Sequence, residues 1–368
     1  MDSRDMQAVQ EPPSISVSAP VAPTRLFSID VLRGMAILLV MGVHIPAYPI
    51  WSTAGWIGVD LFFVLSGFLI SNLLFAEYLR SQDIRLSRFF IRRALKLYPS
   101  FYLMLAVTFA YCWWVQRPLT ANQILGELTL TQNYVGEIWG HTWSLAVEEH
   151  FYLFLPLLLT VLIRFRAFHA IPWIFAAIAI TCLGLRIYAA QAHAFDHHLH
   201  FQPSHLRFDA LFTGVFLSYL HNFRSDTLQR LMQSHWRMPL SMLGVGAWTV
   251  PALFLEYSDP RVYTIGFSAV SLGCAMLLLC SVYPEKGRKA QAPGTIAKAV
   301  ARMGKYSYTI YLWHVPLAML FIWLASVFPG VNPFLLHAIY FVLCILTGVL
   351  TARIVELPVL RLRDRYYP

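Results

Sequence analysis

Charge is what this sequence has least of. Only 13% of its 368 residues are Asp, Glu, Lys or Arg, about half the roughly 25% of an ordinary soluble domain. So sparse a set cannot coat a globule of this length with polar groups, which excludes a soluble enzyme and a disordered hub. Cysteine is scarce too. Cys112, Cys182, Cys274, Cys280 and Cys344 all lie in apolar stretches, and no CxxC occurs. That excludes a disulfide-knotted secreted domain and reads as thiols packed between helices. No cleavable leader is expected either. The first residues are polar and proline-bearing, with a small-residue run before the first apolar stretch, the reverse of signal-peptide order. Residues 1–24 are therefore expected to be a disordered cytoplasmic tail ahead of an uncleaved helix.

What is present is apolar: 58% of the residues are hydrophobic and 15% aromatic, with a mean hydropathy of +0.56. The apolar residues gather in stretches near twenty long, the length a helix needs to cross a bilayer. The fold class is all-α, a polytopic membrane protein. Ten spans are expected, at 27–46, 56–76, 97–115, 143–163, 171–190, 206–221, 239–255, 262–283, 307–327 and 334–355. Alternating the sides across these spans puts every Lys and Arg on one side except Arg117, Arg186, Arg207 and Arg261. That asymmetry matches the positive-inside rule and places both termini in the cytoplasm. The net charge of +9 thus reports topology and membrane lipid, with no nucleic-acid partner. Residues 25–358 form the expected membrane domain and 359–368 a short basic tail, with no internal repeat and no appended soluble domain.

Ionisable groups inside spans are expensive and mark functional candidates. Arg33 and His44 lie eleven residues apart, about 20° from three full turns and about 16 Å along a helix. Both look out from one face, which favours a shared cavity over an Arg that only snorkels and a His that only bonds structurally. The fourth span opens HTWSLAVEEHFYLFLP, with Trp143 at its start. Glu148 and Glu149 project about 100° apart, so they cannot share one job. Glu148 is expected at the depth of His44, where a carboxylate would orient an imidazole base.

The segment RLSRFFIRRALKLYP, before the third span, reads either as an interfacial helix on anionic headgroups or as a polyanion site built from Arg92, Arg93 and Lys96. HAFDHHLHFQPSHLRFD follows the fifth span. Its histidines lack a convincing ligand set, and no metal is expected. His205 ends this stretch, and Arg207 and Asp209 could pair internally or meet substrate. YSYTIYLWHVP in the ninth span sets Tyr311 one turn before His314. Glu356 is expected to pair with Arg353 at a helix end.

With these motifs in view, the chain resembles the acyltransferase family 3 membrane proteins. FSIDVLRGMAILLVMGVH carries an Arg-x10-His element. GWIGVDLFFVLSGFLI, FFIRRALKLYPSFY, TWSLAVEEHFYLFLP, HLRFDALFTG and YSYTIYLWHVPL follow it in the family's order. The match covers about residues 27–358. It implies an inner-membrane, multi-pass domain that moves an acyl group, usually acetyl, from cytoplasmic acyl-CoA to an acceptor on the outer side. That acceptor is typically a hydroxyl of a carbohydrate such as O-antigen, exopolysaccharide or a lipid-linked glycan. Some relatives acylate small natural products such as macrolides instead.

By resemblance, Arg33 and His44 match the essential Arg and His, and Glu148 matches the Glu of the Trp-Ser-Leu motif. Arg93 begins the Arg-x-x-Arg element, whose last position is Lys96 here. Lys keeps the charge and loses the bidentate fork, so Arg92 is a candidate substitute. His44 and Glu148 are thus the catalytic candidates. Arg33, Arg92, Arg93 and Lys96 are those for the CoA co-substrate, and Trp143, His205, Arg207, Asp209, Tyr311 and His314 those for the acceptor. Many relatives carry a hydrolase-like domain that this sequence does not include, so separate glycan-assembly proteins are possible partners. Direct transfer and an acyl-His intermediate are both open, as is the oligomeric state. A transporter would also bury His, Glu and Arg, but usually as two related halves, which are not visible here.

Overall fold

The computed structural model describes residues 23–44, 49–283, 292–328 and 330–367. Nearly all of the expected N-terminal tail, together with Lys286, Arg288 and Lys289, lies outside them. Each of the ten expected segments holds a helix. These are α1 (Pro23–Val43), α2 (Ile57–Ser81), α3 (Leu86–Trp114), α4 (Trp143–Arg164), α5 (Ile171–Ala192), α6 (Phe208–Phe223), α7 (Arg237–Phe254), α8 (Phe267–Val282), α9 (Ser307–Val327) and α10 (Pro333–Thr351). No strand occurs among the described residues. Seven described helical segments, those containing α2 to α5 and α8 to α10, are long and apolar enough to cross a membrane. The chain is an all-α polytopic membrane protein.

Two stretches differ from expectation. The basic segment is not separate from the third span: α3 runs unbroken from Leu86 through Pro99 to Trp114, about 43 Å at 1.5 Å per residue. Beyond α10, a π-helical turn at Ala352–Glu356 leads into a helix at Leu357–Tyr366, where a tail was expected. Glu356 does not pair with Arg353, which faces outward. It is buried and bonded to Lys96 on α3.

The crossing of α2 and α6 explains two glycines. A Cβ on Gly67 would fall 1.9 Å from the Leu211 carbonyl oxygen, and one on Gly214 would fall 2.2 Å from that of Val64. Small residues let the backbones touch, as membrane helices require when apolar surface gains little from leaving lipid. The contact fixes α2, and with it Asp60 and Ser66, against the rest of the bundle. All five cysteines are free, and all but half-buried Cys280 are buried.

Between α3 and α4 a short helix, Ala121–Thr129, is held by a capping box at Thr120 and Gln123. Its Glu127 accepts from the Ile138 N–H at 3.0 Å and the Thr142 hydroxyl at 2.8 Å, pinning the segment that leads into α4. Burial pushes the Glu127 carboxyl up to about 7 from its ordinary 4.5. The folded state therefore holds it protonated where the unfolded chain would ionise. This contribution is complete below about 4.5 and is lost as pH rises through about 7. Unfolding measured between pH 5 and 8 should show wild type losing about 1.4 kcal/mol per unit up to about pH 7 and levelling off above it, and Glu127→Gln should flatten the loss. Identical profiles for the two proteins would contradict this.

Candidate functional site

The first turns of α3 carry Arg88, Arg92 and Lys96 four residues apart, hence on one helical face. With Arg80, Arg85, Arg93 and Arg363 they line an open cavity of about 700 Å³. Sequence reasoning singled out Arg92, Arg93 and Lys96 and missed the other four. The 88–92–96 spacing was the available signal, legible only if the helix is taken to start at Leu86.

The three expected cations are not idle. Arg92 holds Asp364 at 3.2 Å and the Tyr367 carbonyl, and Lys96 holds Glu356. Arg93 lies 3.8 Å over the Tyr152 ring and 4.0 Å from Glu148. Arg80 and Arg85 are exposed at the cavity rim.

A smaller cavity of about 100 Å³ abuts the first, sharing Leu69, Ile70, Arg93 and Lys96. Arg33, Ser66, Glu148, Ser307 and Tyr311 line it further in. The Arg33 Nε donates to the Ser307 hydroxyl at 3.2 Å. Glu148 accepts from the Ser66 hydroxyl at 2.9 Å and the Tyr152 hydroxyl at 2.5 Å. Glu149 turns to α3 and accepts from the Tyr98 hydroxyl at 3.2 Å. The two carboxylates diverge, as their 100° separation requires.

Glu148 is not the partner of His44, however. His141, in the turn before α4, joins the histidines, while Glu148 lies within α4 and bonds Ser66 and Tyr152. There it faces Arg93 and shares the small cavity with Arg33.

His44 meets histidines instead. Its ring centroid is 5.3 Å from that of His314, which is 4.9 Å from both His141 and Tyr311. The tautomers follow from the acceptors. The Tyr311 carbonyl takes the proton of His314 Nδ1 at 2.5 Å, and the Leu312 carbonyl takes that of His141 Nε2 at 3.3 Å. Each ring keeps one basic nitrogen, His314 Nε2 and His141 Nδ1, buried and with no hydrogen-bond partner among the described residues. The Tyr311 hydroxyl donates to the His141 carbonyl at 2.9 Å and lies 2.6 Å from the Ser144 hydroxyl. Tyr311 thus lines the small cavity and touches the histidine cluster. His141 opens the HTWSLAVEEH motif two residues before the expected span, and no spacing rule connects it to His44 or His314.

Four of the six expected acceptor contacts sit away from the histidine cluster. Arg207 pairs with Asp60 at 2.8 Å and stacks 3.6 Å over Phe267, while Asp209 pairs with Arg186 at 2.7 Å. All four ionic groups are buried, so Arg207 and Asp209 hold the bundle together and do not meet each other or an open cavity. Trp143 is buried against Phe63 and the Arg207 guanidinium. His205 is exposed and faces Tyr134 across a separate groove. The four histidines of His193–His200 diverge: His197 bonds the Tyr257 hydroxyl, His198 lies 3.8 Å from Glu137, and His200 reaches the Ala189 carbonyl.

Comparison with known proteins fits this geometry. Relatives include the "O-acetyltransferase OatA" of Staphylococcus aureus strain NCTC 8325 / PS 47 and that of strain COL. Each is 27% identical over 384 residues, covering 98% of this chain and 60% of the relative. The chain thus spans about 60% of the length of these relatives. No solved structure matches it. The family model described as an acyltransferase domain matches residues 26–353, and the chain belongs to that acyltransferase family of multi-pass membrane proteins.

Proposed function

We propose that the protein transfers an acyl group, acetyl in the simplest case, from a CoA thioester at its basic, cytoplasmic face to a carbohydrate hydroxyl at the opposite face of the inner membrane. The observation that supports this most is the pair of abutting cavities. A wide arginine-lined vestibule narrows at Arg93 and Lys96 into a slot reaching Tyr311, and Tyr311 touches the histidine cluster. A long, thin donor with a polyanionic head and a reactive tip matches that shape, and guanidinium forks suit its phosphates. When bound, acyl-CoA supplies an activated thioester carbonyl.

The residues divide the remaining work. Arg80, Arg85 and Arg88 hold phosphate at the rim. Arg93 guards the entrance to the slot, and Arg33, fixed by Ser307, lies deeper along it. His44 takes the proton of the acceptor hydroxyl as its oxygen attacks the thioester carbonyl; the C–S bond breaks, and the proton leaves with the CoA thiolate as the free thiol. Glu148 acts as a positioning residue for Arg93. In this reading α1, α6 and α7 complete a ten-span topology with both termini cytoplasmic.

Purified protein incubated with labelled acetyl-CoA tests the proposal. The expected result is thioester turnover that rises with added glycan, and Arg93→Ala should weaken donor binding about tenfold, the loss of one charge-assisted contact. Solute counterflow without turnover would instead show a transporter, and unchanged affinity in Arg93→Ala would remove that residue from the donor site.

A further inference from the structure

At the far end of α3 from the arginine vestibule lies a third cavity, of about 570 Å³. Its volume is in the range of small-ligand sites. It runs between the segment that follows Ala121–Thr129 and the segment between α5 and α6. We propose that this groove is the acceptor-glycan subsite, where a short stretch of carbohydrate docks beside the reaction centre. The inference rests on the transfer reading given above and adds a place for its acceptor.

The groove is furnished for hydroxyl groups. Tyr134 is 54% exposed, and its ring lies nearly parallel to that of His205, 5.9 Å away, with its hydroxyl 2.9 Å from His205 Nδ1. Tyr188, 68% exposed, lines the same groove. Flat aromatic faces of this kind accept the C–H surfaces of pyranose rings, burying apolar area while the hydroxyls stay free to bond.

Glu137 supplies the polar counterpart. Both of its carboxylate oxygens accept from Gln202 Nε2, at 3.2 and 3.1 Å, and His198 Nδ1 stands 3.8 Å away. The carboxylate is therefore held in place and retains lone pairs for further donors. Gln132 and Asn133, also in the wall, are nearly fully buried. Their amide NH2 groups are committed: Gln132 donates to the Thr142 carbonyl, and Asn133 to the Gln202 carbonyl and the Ser204 hydroxyl. Their carbonyl oxygens have no partner among the described residues.

A groove that sets a fixed carboxylate among mostly apolar surface repels anions and suits a ligand that brings O–H donors together with apolar C–H faces. An interfacial aromatic belt would account for Tyr188, but not for a carboxylate held in position beside it.

The groove also adjoins, along the chain, the segment that carries His141. Ser204 takes the bond from Asn133 at 2.9 Å and lies 2.7 Å from His150 Nδ1 on α4. Four residues after Glu137 the same segment reaches His141, which contacts both His314 and Tyr311. A chain lying in the groove would have one end near the histidines.

Two readouts on the full-length protein test this. Base-treated envelope polysaccharide, stripped of its esters, is titrated against purified protein, and ester deposited on envelope glycans in cells is measured as acetate released by mild base. Tyr134→Ala and Glu137→Gln should each weaken polysaccharide binding tenfold or more and lower the deposited ester in step. Acetyl-CoA affinity and melting temperature should stay at wild-type values. Wild-type binding of the polysaccharide in both variants would overturn the assignment of the groove. Polysaccharide bound by the wild-type protein and lost in both variants, with no ester deposited in cells, would overturn the transfer reading and leave the groove a carbohydrate site, so the two failures are distinguishable.

Discussion

His44→Ala should lower acyl transfer by about 10²–10⁴-fold, the contribution of a positioned general base, while donor affinity and melting temperature stay near wild type. The expectation follows from where the side chain sits. His44 closes α1 at the inner edge of the histidine cluster, 5.3 Å from His314, and is only partly buried, unlike His314 and His141. It is the most exposed imidazole of the three, and the other two are tethered to backbone carbonyls. Removing His44 takes the base and leaves Arg33 and Arg93 to hold the donor. Single-turnover transfer and donor titration on the same preparation check both halves. Transfer within twofold of wild type would remove His44 from the chemistry.

The second large effect is structural. Arg207→Ala should destabilise the protein by about 3–5 kcal/mol, the usual cost of stranding one member of a buried ion pair. Asp60 would be left without its cation in a site that excludes water. It is fully buried, its Oδ1 is bound to Arg207 at 2.8 Å, and its Oδ2 has no partner among the described residues. The Phe267 ring under the guanidinium would lose its contact as well. Replacing both partners, as in the Asp60→Leu, Arg207→Met double variant, should recover much of the loss, because neither a charge nor an unpaired polar group remains. Unfolding in mixed micelles measures both. A cost below 1 kcal/mol for Arg207→Ala would show that the pair does not secure the crossing of α2 and α6.

Local periodicity made part of this molecule legible in its sequence. The ten helical segments and the divergence of Glu148 from Glu149 follow from helical geometry and apolar run length, whereas Arg33 lines the small cavity without His44, which stands just past the end of α1. What stayed hidden depends on contacts between distant segments. Nothing in HLRFD indicates that Arg207 will meet Asp60, 147 residues earlier, or that Asp209 will meet Arg186. Lys96 and Glu356, 260 residues apart, are joined only because α10 continues through a π-helical turn toward α3. The partner of Glu148 was misjudged because His141, in the turn before α4, joins the histidines, and apolar run length does not report that. The donor and acceptor chemistry of Gln132, Asn133 and Glu137 was invisible for a different reason: those residues lie in irregular backbone, where spacing has no fixed geometric meaning.

The central claim is that one chain takes an acyl group at its arginine face and delivers it at the histidine face. Sealed inside-out membrane vesicles carrying the protein test it most directly. Acetyl-labelled acetyl-CoA is added outside, and base-labile label is measured on enclosed glycan. The account predicts label that accumulates on the enclosed side with wild type and falls to background with His44→Ala. Label that never crosses, or that crosses equally well without His44, would contradict it.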